Sequence, residues 1–350
     1  STQAKTLFPY TTLFRSKLNS NADIEWEKIY GTNEFDKGIS IQQTIDGGYI
    51  VTYFTTIDST GRLNNNYDAD SWILKLTSNG DIEWKKVYGG SSNDLLNSIK
   101  QTTDKGYIAA GKTRSNNGNI PNNQGYFDAW IIKIATNGNL EWSKTFGGAN
   151  GEFMYDIQQT TDGGYLIVGE TESSNGDITN NYGGTDYWVI KLQANGNLVW
   201  QKTYGGSKND RANCIQKTND GHYIIVGHIE SNDGNITNLY GYENVWVIKI
   251  DDLGNILQQT TIGTNGNDGA NSILQTHDNN FLVVGSSQNA NSNIKNIFVA
   301  ALNTNCTLLW QRQIPQENSD TFARTIFETT DCGYMLFGKQ FFSSSSGNDI

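Results

Sequence analysis

The stretch YWVIKLQANGNLVWQKTYGGSKNDRANCIQKTNDGHYIIVGHIESNDGNITNLYGYEN, residues 187–244, decides the fold. Residues 129–186, AWIIKIATNGNLEWSKTFGGANGEFMYDIQQTTDGGYLIVGETESSNGDITNNYGGTD, repeat it closely. Residues 71–128 repeat it too, and 245–296 do so more loosely. Trp72, Trp130, Trp188 and Trp246 therefore stand 58 residues apart, and Trp26, Trp84, Trp142 and Trp200 keep the same period. A fixed period of this kind marks a chain of stacked supersecondary units.

Each unit carries four strand signals. In YWVIKL both alternate sets, Trp188/Ile190/Leu192 and Tyr187/Val189, are apolar, which predicts a strand packed on both faces. Asn195-Gly196 follows, as Asn79-Gly80 and Asn137-Gly138 do in sibling units. Such pairs suit a tight hairpin turn whose residues need positive φ. NLVWQKTY returns as a strand, and NCIQKT and YIIVGH form a second hairpin around Asp220-Gly221. No stretch shows a helical apolar period. Four antiparallel strands with two apolar faces are the pattern of a propeller blade. A parallel β-helix needs shorter coils and no hairpin turns at two fixed places per unit.

The predicted fold is thus an all-β propeller of four-stranded antiparallel blades, about six of them, forming all or part of a ring. Innermost strands are expected near 37–44, 95–102, 153–160, 211–218, 269–276 and 322–329. Outermost strands are expected near 24–31, 82–89, 140–147, 198–205, 256–263 and 308–314. The last unit, from Ile297, is degenerate, with Phe298 in place of Trp, and the sixth blade should lack its third strand, because the chain stops at Asn348-Asp349-Ile350. Residues 17–350 read as one propeller domain. Residues 6–16, TLFPYTTLFRS, lie outside the repeat and resemble the conceptual translation of a sequencing-library adapter, so 1–16 read as non-native. With a start at Ser1 and an end in mid-unit, the expectation is a fragment of a longer chain.

Composition narrows the function classes. Aromatic residues at 11% argue against disorder. A net charge of −11 disfavours nucleic acid and anionic membrane as partners. No run of apolar residues is long enough for a membrane-spanning helix. Cys214, Cys306 and Cys332 fall at different places in the unit and lack metal-site spacing. Cys306 and Cys332 replace turn glycines, and so does His222. His222, His228 and His277 assemble no triad or metal cluster by spacing. Asp36, Asp94, Asp210, Asp268 and Asp320, with Glu152 as the sixth, precede every inner strand. A carboxylate repeated in each unit suits a structural cap better than acid–base chemistry, because active sites break the symmetry of a repeat. Glu152, Glu170, Glu172 and Glu230 are the visible candidates for such asymmetry.

Two site expectations remain. The long loops 115–128, 173–186 and 231–244 are rich in Asp, Asn and Gly. Calcium is the cofactor this admits, through Asp177 and Asp186, while Asx-turns explain the same residues without any cofactor. These loops, together with the corresponding segment before Trp72, carry Tyr67, Tyr126, Tyr182, Tyr240 and Tyr242, with Phe127. Flat rings beside amides suit a glycan or a peptide; packing of each ring over its own loop is the alternative.

The motifs D-Y-W-V-I-K-L, N-G-N-L-x-W-x-K-T-Y-G-G and Q-Q-T-T-D-G-G-Y-L-I-V-G resemble the repeats of bacterial secreted β-propeller proteins over residues 17–349. That resemblance implies an extracellular or cell-surface protein exported by the type IX route. Some such proteins are labelled endoglucanases, yet no glycosidase motif stands in this chain, and the full Asp-box pattern of sialidases is absent. The expected function is a monomeric, non-catalytic binding or scaffold module for a glycan or protein ligand. The alternative is a polysaccharide-acting hydrolase or part of one.

Overall fold

The computed structural model describes residues 13–18, 23–30, 35–56, 69–290, 294–315, 319–329 and 333–342. Among them are 24 strands and no helix. β1 (Leu13–Leu18) pairs with β2 (Ile24–Tyr30) as a two-stranded sheet. Four-stranded sheets follow in strict chain order. The first comprises β3 (Phe35–Gln43), β4 (Tyr49–Thr56), β5 (Ala69–Leu76) and β6 (Ile82–Tyr88). The second is β7 (Asp94–Gln101), β8 (Tyr107–Thr113), β9 (Asp128–Ile134) and β10 (Leu140–Phe146). The third is β11 (Glu152–Gln159), β12 (Tyr165–Thr171), β13 (Asp186–Leu192) and β14 (Leu198–Tyr204). The fourth is β15 (Asp210–Lys217), β16 (Tyr223–Ile229), β17 (Asn244–Ile250) and β18 (Ile256–Ile262). The fifth is β19 (Asn267–Gln275), β20 (Phe281–Gln288), β21 (Asn296–Leu302) and β22 (Leu308–Ile314). β23 (Ser319–Glu328) and β24 (Tyr334–Phe342) form a final pair. The fold is all-β and of the propeller type. Contacts divide the chain into two compact units, Ser1–Ile157 and Gln158–Ile350.

The expected outer strands coincide with the observed ones to within a residue. The inner strands begin one to three residues earlier than expected. In β7 and β15 the capping residues Asp94 and Asp210 are themselves the first strand residues, paired with Thr113 and Ile229. The segment set apart as foreign also reaches the fold: Leu13–Leu18 pairs with β2 where a third blade strand belongs. Antiparallel pairing uses backbone groups that every non-proline residue carries, so sequence identity matters little there.

The third strand of each blade explains the stability. β9, β13 and β17 are buried along their whole length, whereas β10 and β14 expose their first residues. Trp130, Trp188 and Trp246 are fully buried. Their indole N–H groups reach Ser143 Oγ, Gln201 Oε1 and Gln259 Oε1 on the neighbouring outer strand, at 2.9, 2.8 and 3.1 Å. A fully buried indole thus keeps its one donor satisfied.

The outer strand clasps the next repeat. Trp84 Nε1 donates to Thr136 O at 3.0 Å, Tyr88 OH to Gly138 O at 2.5 Å, and Lys86 Nζ to Asn139 Oδ1 at 2.7 Å. Trp26, Tyr30 and Lys28 grip Ser78, Gly80 and Asp81 in the same way. Trp200, Tyr204 and Lys202 grip Asp252, Gly254 and Asn255. Gly138 has φ of +77°, and a Cβ there would lie 3.0 Å from the Trp84 ring. Both the turn and the close approach therefore require glycine.

In the first four four-stranded sheets a buried cation ties the two hairpins together. Lys75, Lys133, Lys191 and Lys249 are all nearly inaccessible. Their Nζ atoms pair with the turn aspartates Asp46, Asp104, Asp162 and Asp220, at 2.9, 2.9, 3.0 and 2.5 Å. Each aspartate also accepts the hydroxyl of a threonine two residues earlier. At Asp46 the Thr44 hydroxyl lowers the carboxyl most, to about 2. At Asp162 and Asp220 burial pushes upward, but hydroxyl and lysine together overcome it and hold both at about 2.

These observations set two expectations. Trp188→Ala should cost about 3–5 kcal/mol in denaturant unfolding, because a buried indole leaves a large cavity. The turn aspartates, held below an unfolded value of about 4, contribute stability that is complete above pH 4. It is lost as pH falls towards 2. Asp162→Ala should flatten that acid limb and cost about 1–3 kcal/mol at pH 7, by stranding buried Lys191. Lys191→Met in the same chain should recover part of the loss. Thermal melts across pH 2–7 check both statements.

Candidate ligand-binding site

The long loop between second and third strands folds back over the connection that enters its own blade. Asn119 N donates to Gly89 O at 3.0 Å, and Ser91 N to Asn117 Oδ1 at 2.8 Å. Asn235 N donates to Gly205 O at 2.9 Å, and Ser207 N to Asp233 Oδ1 at 2.7 Å. Beneath this layer lie the repeated carboxylates. Asp94 Oδ2 accepts Gly90 N at 2.6 Å and Ser115 Oγ at 2.7 Å, while its Oδ1 accepts Thr113 Oγ1. Asp210 accepts Gly206 N, Glu230 N and Ser231 N at 2.8, 3.1 and 3.2 Å. Glu152 accepts Gly148 N at 2.9 Å, its extra methylene bridging the same gap. These carboxylates act as caps on backbone donors.

Asp186 behaves alike. Its Oδ2 accepts Tyr182 N at 2.6 Å, as Asp128 accepts Gln124 N at 2.8 Å and Asn244 accepts Tyr240 N at 2.6 Å. Burial, followed by the charge of Asp210, pushes the Asp186 carboxyl up to about 7. Asp177 stands half-buried at the position where Asn119 and Asn235 accept the N–H groups of Gly89 and Gly205, at 3.3 and 3.1 Å. Among the described residues no three His, Cys, Asp or Glu side chains converge as a metal cluster.

The loop tyrosines divide. Tyr126, Tyr182, Tyr240 and Tyr242 are 54%, 43%, 58% and 73% exposed. Tyr67 lies outside the described residues. Phe127 is buried; its ring meets Tyr126 edge-on at 4.8 Å, and the Arg114 guanidinium lies 4.7 Å from the Tyr126 ring. Tyr182 is different, because it borders a groove of about 420 Å³ in the second unit. Thr179, Asn180, Gln201, Asn235 and Asn255 line it with amides and hydroxyls. Gln201 Nε2 donates to Thr179 Oγ1 at 2.7 Å, and Thr203 Oγ1 to Asn180 O at 2.9 Å, which fixes the wall. Tyr182 was visible in the sequence but the amide wall was not, since its members come from two long loops, one hairpin turn and one strand far apart in the chain.

A second feature of the same unit also escaped spacing arguments. Glu170, 3% exposed, accepts Arg211 Nε at 2.5 Å. His228 approaches Asn213 Nδ2 at 3.5 Å, and burial holds its imidazole down at about 4. Burial, then the neighbouring Glu230, raises the Glu243 carboxyl. These residues hold positions that differ from repeat to repeat: Glu170 and His228 correspond to Lys112 in the second sheet. Glu170 and Glu230 were visible as asymmetric acids, whereas Arg211 carried no signal in the sequence.

No protein-family model matches this chain, and no curated protein matches it. Solved structures do. A mutant of NanB sialidase from Streptococcus pneumoniae superposes with a TM-score of 0.53 at 8% identity, covering 97% of this chain and 68% of the other. A protein of unknown function from Bacteroides caccae gives a TM-score of 0.46 at 10% identity, covering 85% and 89%. A putative exo-beta-1,3-galactanase from Bifidobacterium bifidum gives 0.41 at 13%, covering 72% and 84%. Identities this low speak to fold alone. If the groove binds, Tyr182→Ala should abolish binding with little loss of stability, since the ring is well exposed; titration calorimetry and melting of the variant test this together.

Proposed function

We propose that this chain is a secreted or cell-surface β-propeller that acts as a non-catalytic binding or scaffold module, taking a glycan at its long-loop side. Export by the type IX route belongs to the same proposal, on the strength of the repeat motifs. The observation that carries the reading is the Tyr182 groove: a half-exposed aromatic ring beside a wall of amides and hydroxyls. A ring face packs against the C–H face of a pyranose, while amides supply both donors and acceptors for its hydroxyls. The groove holds one cation, Lys202, and no carboxylate. A neutral sugar is therefore the ligand of choice, with a protein loop as the other class of partner.

The specific observation favouring a polysaccharide hydrolase is the carboxyl of Glu243, raised by burial and then by the charge of Glu230, at a position where the preceding repeats carry Thr185 and Phe127. A general acid needs such a raised value. Glycan-array binding followed by a hydrolysis assay separates the two. The binding reading expects retention of neutral glycans without turnover, and loss of retention in Tyr182→Ala. Turnover that disappears in Glu243→Gln would replace it with the hydrolase.

A further inference from the structure

One junction between repeats has lost its clasp. Where β2, β6 and β14 carry W-x-K-x-Y, β18 carries Gln258, Thr260 and Ile262. Where the gripped turn carries glycine, the next repeat carries Cys306, held at φ of +58°. Where the first hairpin turn usually has a second glycine (Gly48, Gly106, Gly164), the same junction has His222. The three arms of the grip and the glycine they close on have changed together. A bulky indole is absent, and a cavity of about 320 Å³ stands there, bordered by Asp220, His222, Lys249, Gln258, Thr304 and Asn305.

The charge balance at this cavity is also unlike its siblings. Lys75 pairs with Asp46 and with Glu83 at 3.3 Å. Lys133 pairs with Asp104 and with Glu141 at 3.2 Å. Lys191 pairs with Asp162 and has Asp252 at 4.0 Å. Among the described residues Lys249 has Asp220 as its one carboxylate, and it also reaches Thr304 O at 3.5 Å. Leu257 occupies the place of Glu83 and Glu141. Gln258 Nε2 reaches Asn305 Oδ1 at 3.2 Å, while Gln258 Oε1 is buried and accepts no hydrogen bond. A nearly buried ammonium short of one counter-charge, an unsatisfied amide oxygen and a small polar cavity occur together.

We propose that this cavity is a binding site for a small carboxylate-bearing, hydroxyl-rich molecule of the sugar-acid class. The ligand carboxylate takes the place that Glu83 and Glu141 fill beside their lysines, against Lys249 Nζ. The His222 imidazole and the Asn305 amide flank it, and a ligand hydroxyl donates to Gln258 Oε1. The volume suits a single pyranose and falls at the lower end of small-molecule sites. A free carboxylate is favoured over a phosphate, because Lys249 already shares its charge with Asp220 and one further negative charge completes the sibling pattern. The site uses other residues than the Tyr182 groove and does not rest on glycan binding there.

Two repeat-restoring variants of the whole chain test it. Leu257→Glu returns the second carboxylate at a half-exposed strand position, and Gln258→Trp refills the cavity. Titration calorimetry with D-glucuronate should show saturable binding to the parent chain, at least tenfold weaker binding in each variant, and none of D-glucose. Melting temperatures should be unchanged or raised in both variants. Should Gln258→Trp fail to fold, Leu257→Glu decides alone. Absence of saturable glucuronate binding, equal binding of glucose, or undiminished binding in folded Leu257→Glu each overturns the proposal. Failure here leaves Tyr182-dependent retention of neutral glycans untouched, and the converse also holds.

Discussion

Trp84, Lys86 and Tyr88 reach out of one sheet and close on the Thr136–Asn139 turn of the next, with three hydrogen bonds through side chains that also fill the space between. A four-stranded sheet with two apolar faces has no stability of its own, because each face needs a neighbour. The clasp supplies that neighbour in a fixed register. It brings the outer edge of one sheet against the hairpin of another and seals the otherwise wet end of the buried third strand. The glycine of the turn, the length of the hairpin and the spacing of the aromatic residues all follow from it.

Burying strands on both faces leaves polar groups that the structure must satisfy locally. The lysine one residue before the end of β5, β9, β13 and β17 is almost inaccessible, yet it contacts the turn aspartate of the other hairpin in the blade. Asp94 and Asp210, which open their inner strands, each gather backbone N–H groups of two loops. Such groups are stabilising only while every partner is present, since a buried charge left alone is expensive. They therefore specify which hairpin meets which loop. Apolar burial supplies the bulk of the free energy, and these contacts restrict it to one arrangement.

Much of this was legible in the chain. The Trp and Asn-Gly periods placed strands and turns, because a 58-residue repeat samples the same geometry several times and averages out chance. The structural role of Asp94 and Asp210 was legible for the same reason. What spacing could not show is partnership across repeats. Nothing local says that Lys191 meets Asp162, that Trp84 meets Thr136, or that Asn180 and Gln201 share a wall with Tyr182. The long-loop tyrosines look alike in sequence, yet among the described ones only Tyr182 borders the amide-lined groove. His222 and Cys306 carry no signal one at a time. They gain meaning only when Gln258 is seen to have left the same junction.

A repeat that keeps W-x-K-x-Y and the turn glycine carries one half of the clasp on its outer strand and the other half in its hairpin turn, with nearly the same residues. Duplication of a single 58-residue length thus creates a competent joint at once, with no further substitution, which makes the array easy to lengthen. The same interchangeability is a hazard while the chain folds. A W-x-K-x-Y strand finds several turns that fit it almost equally well, so the wrong repeat can be gripped. The departures at Gln258 and Cys306 then acquire a second meaning: a joint that fits nothing else serves as a marker, fixing which sheet comes next in an otherwise self-similar series.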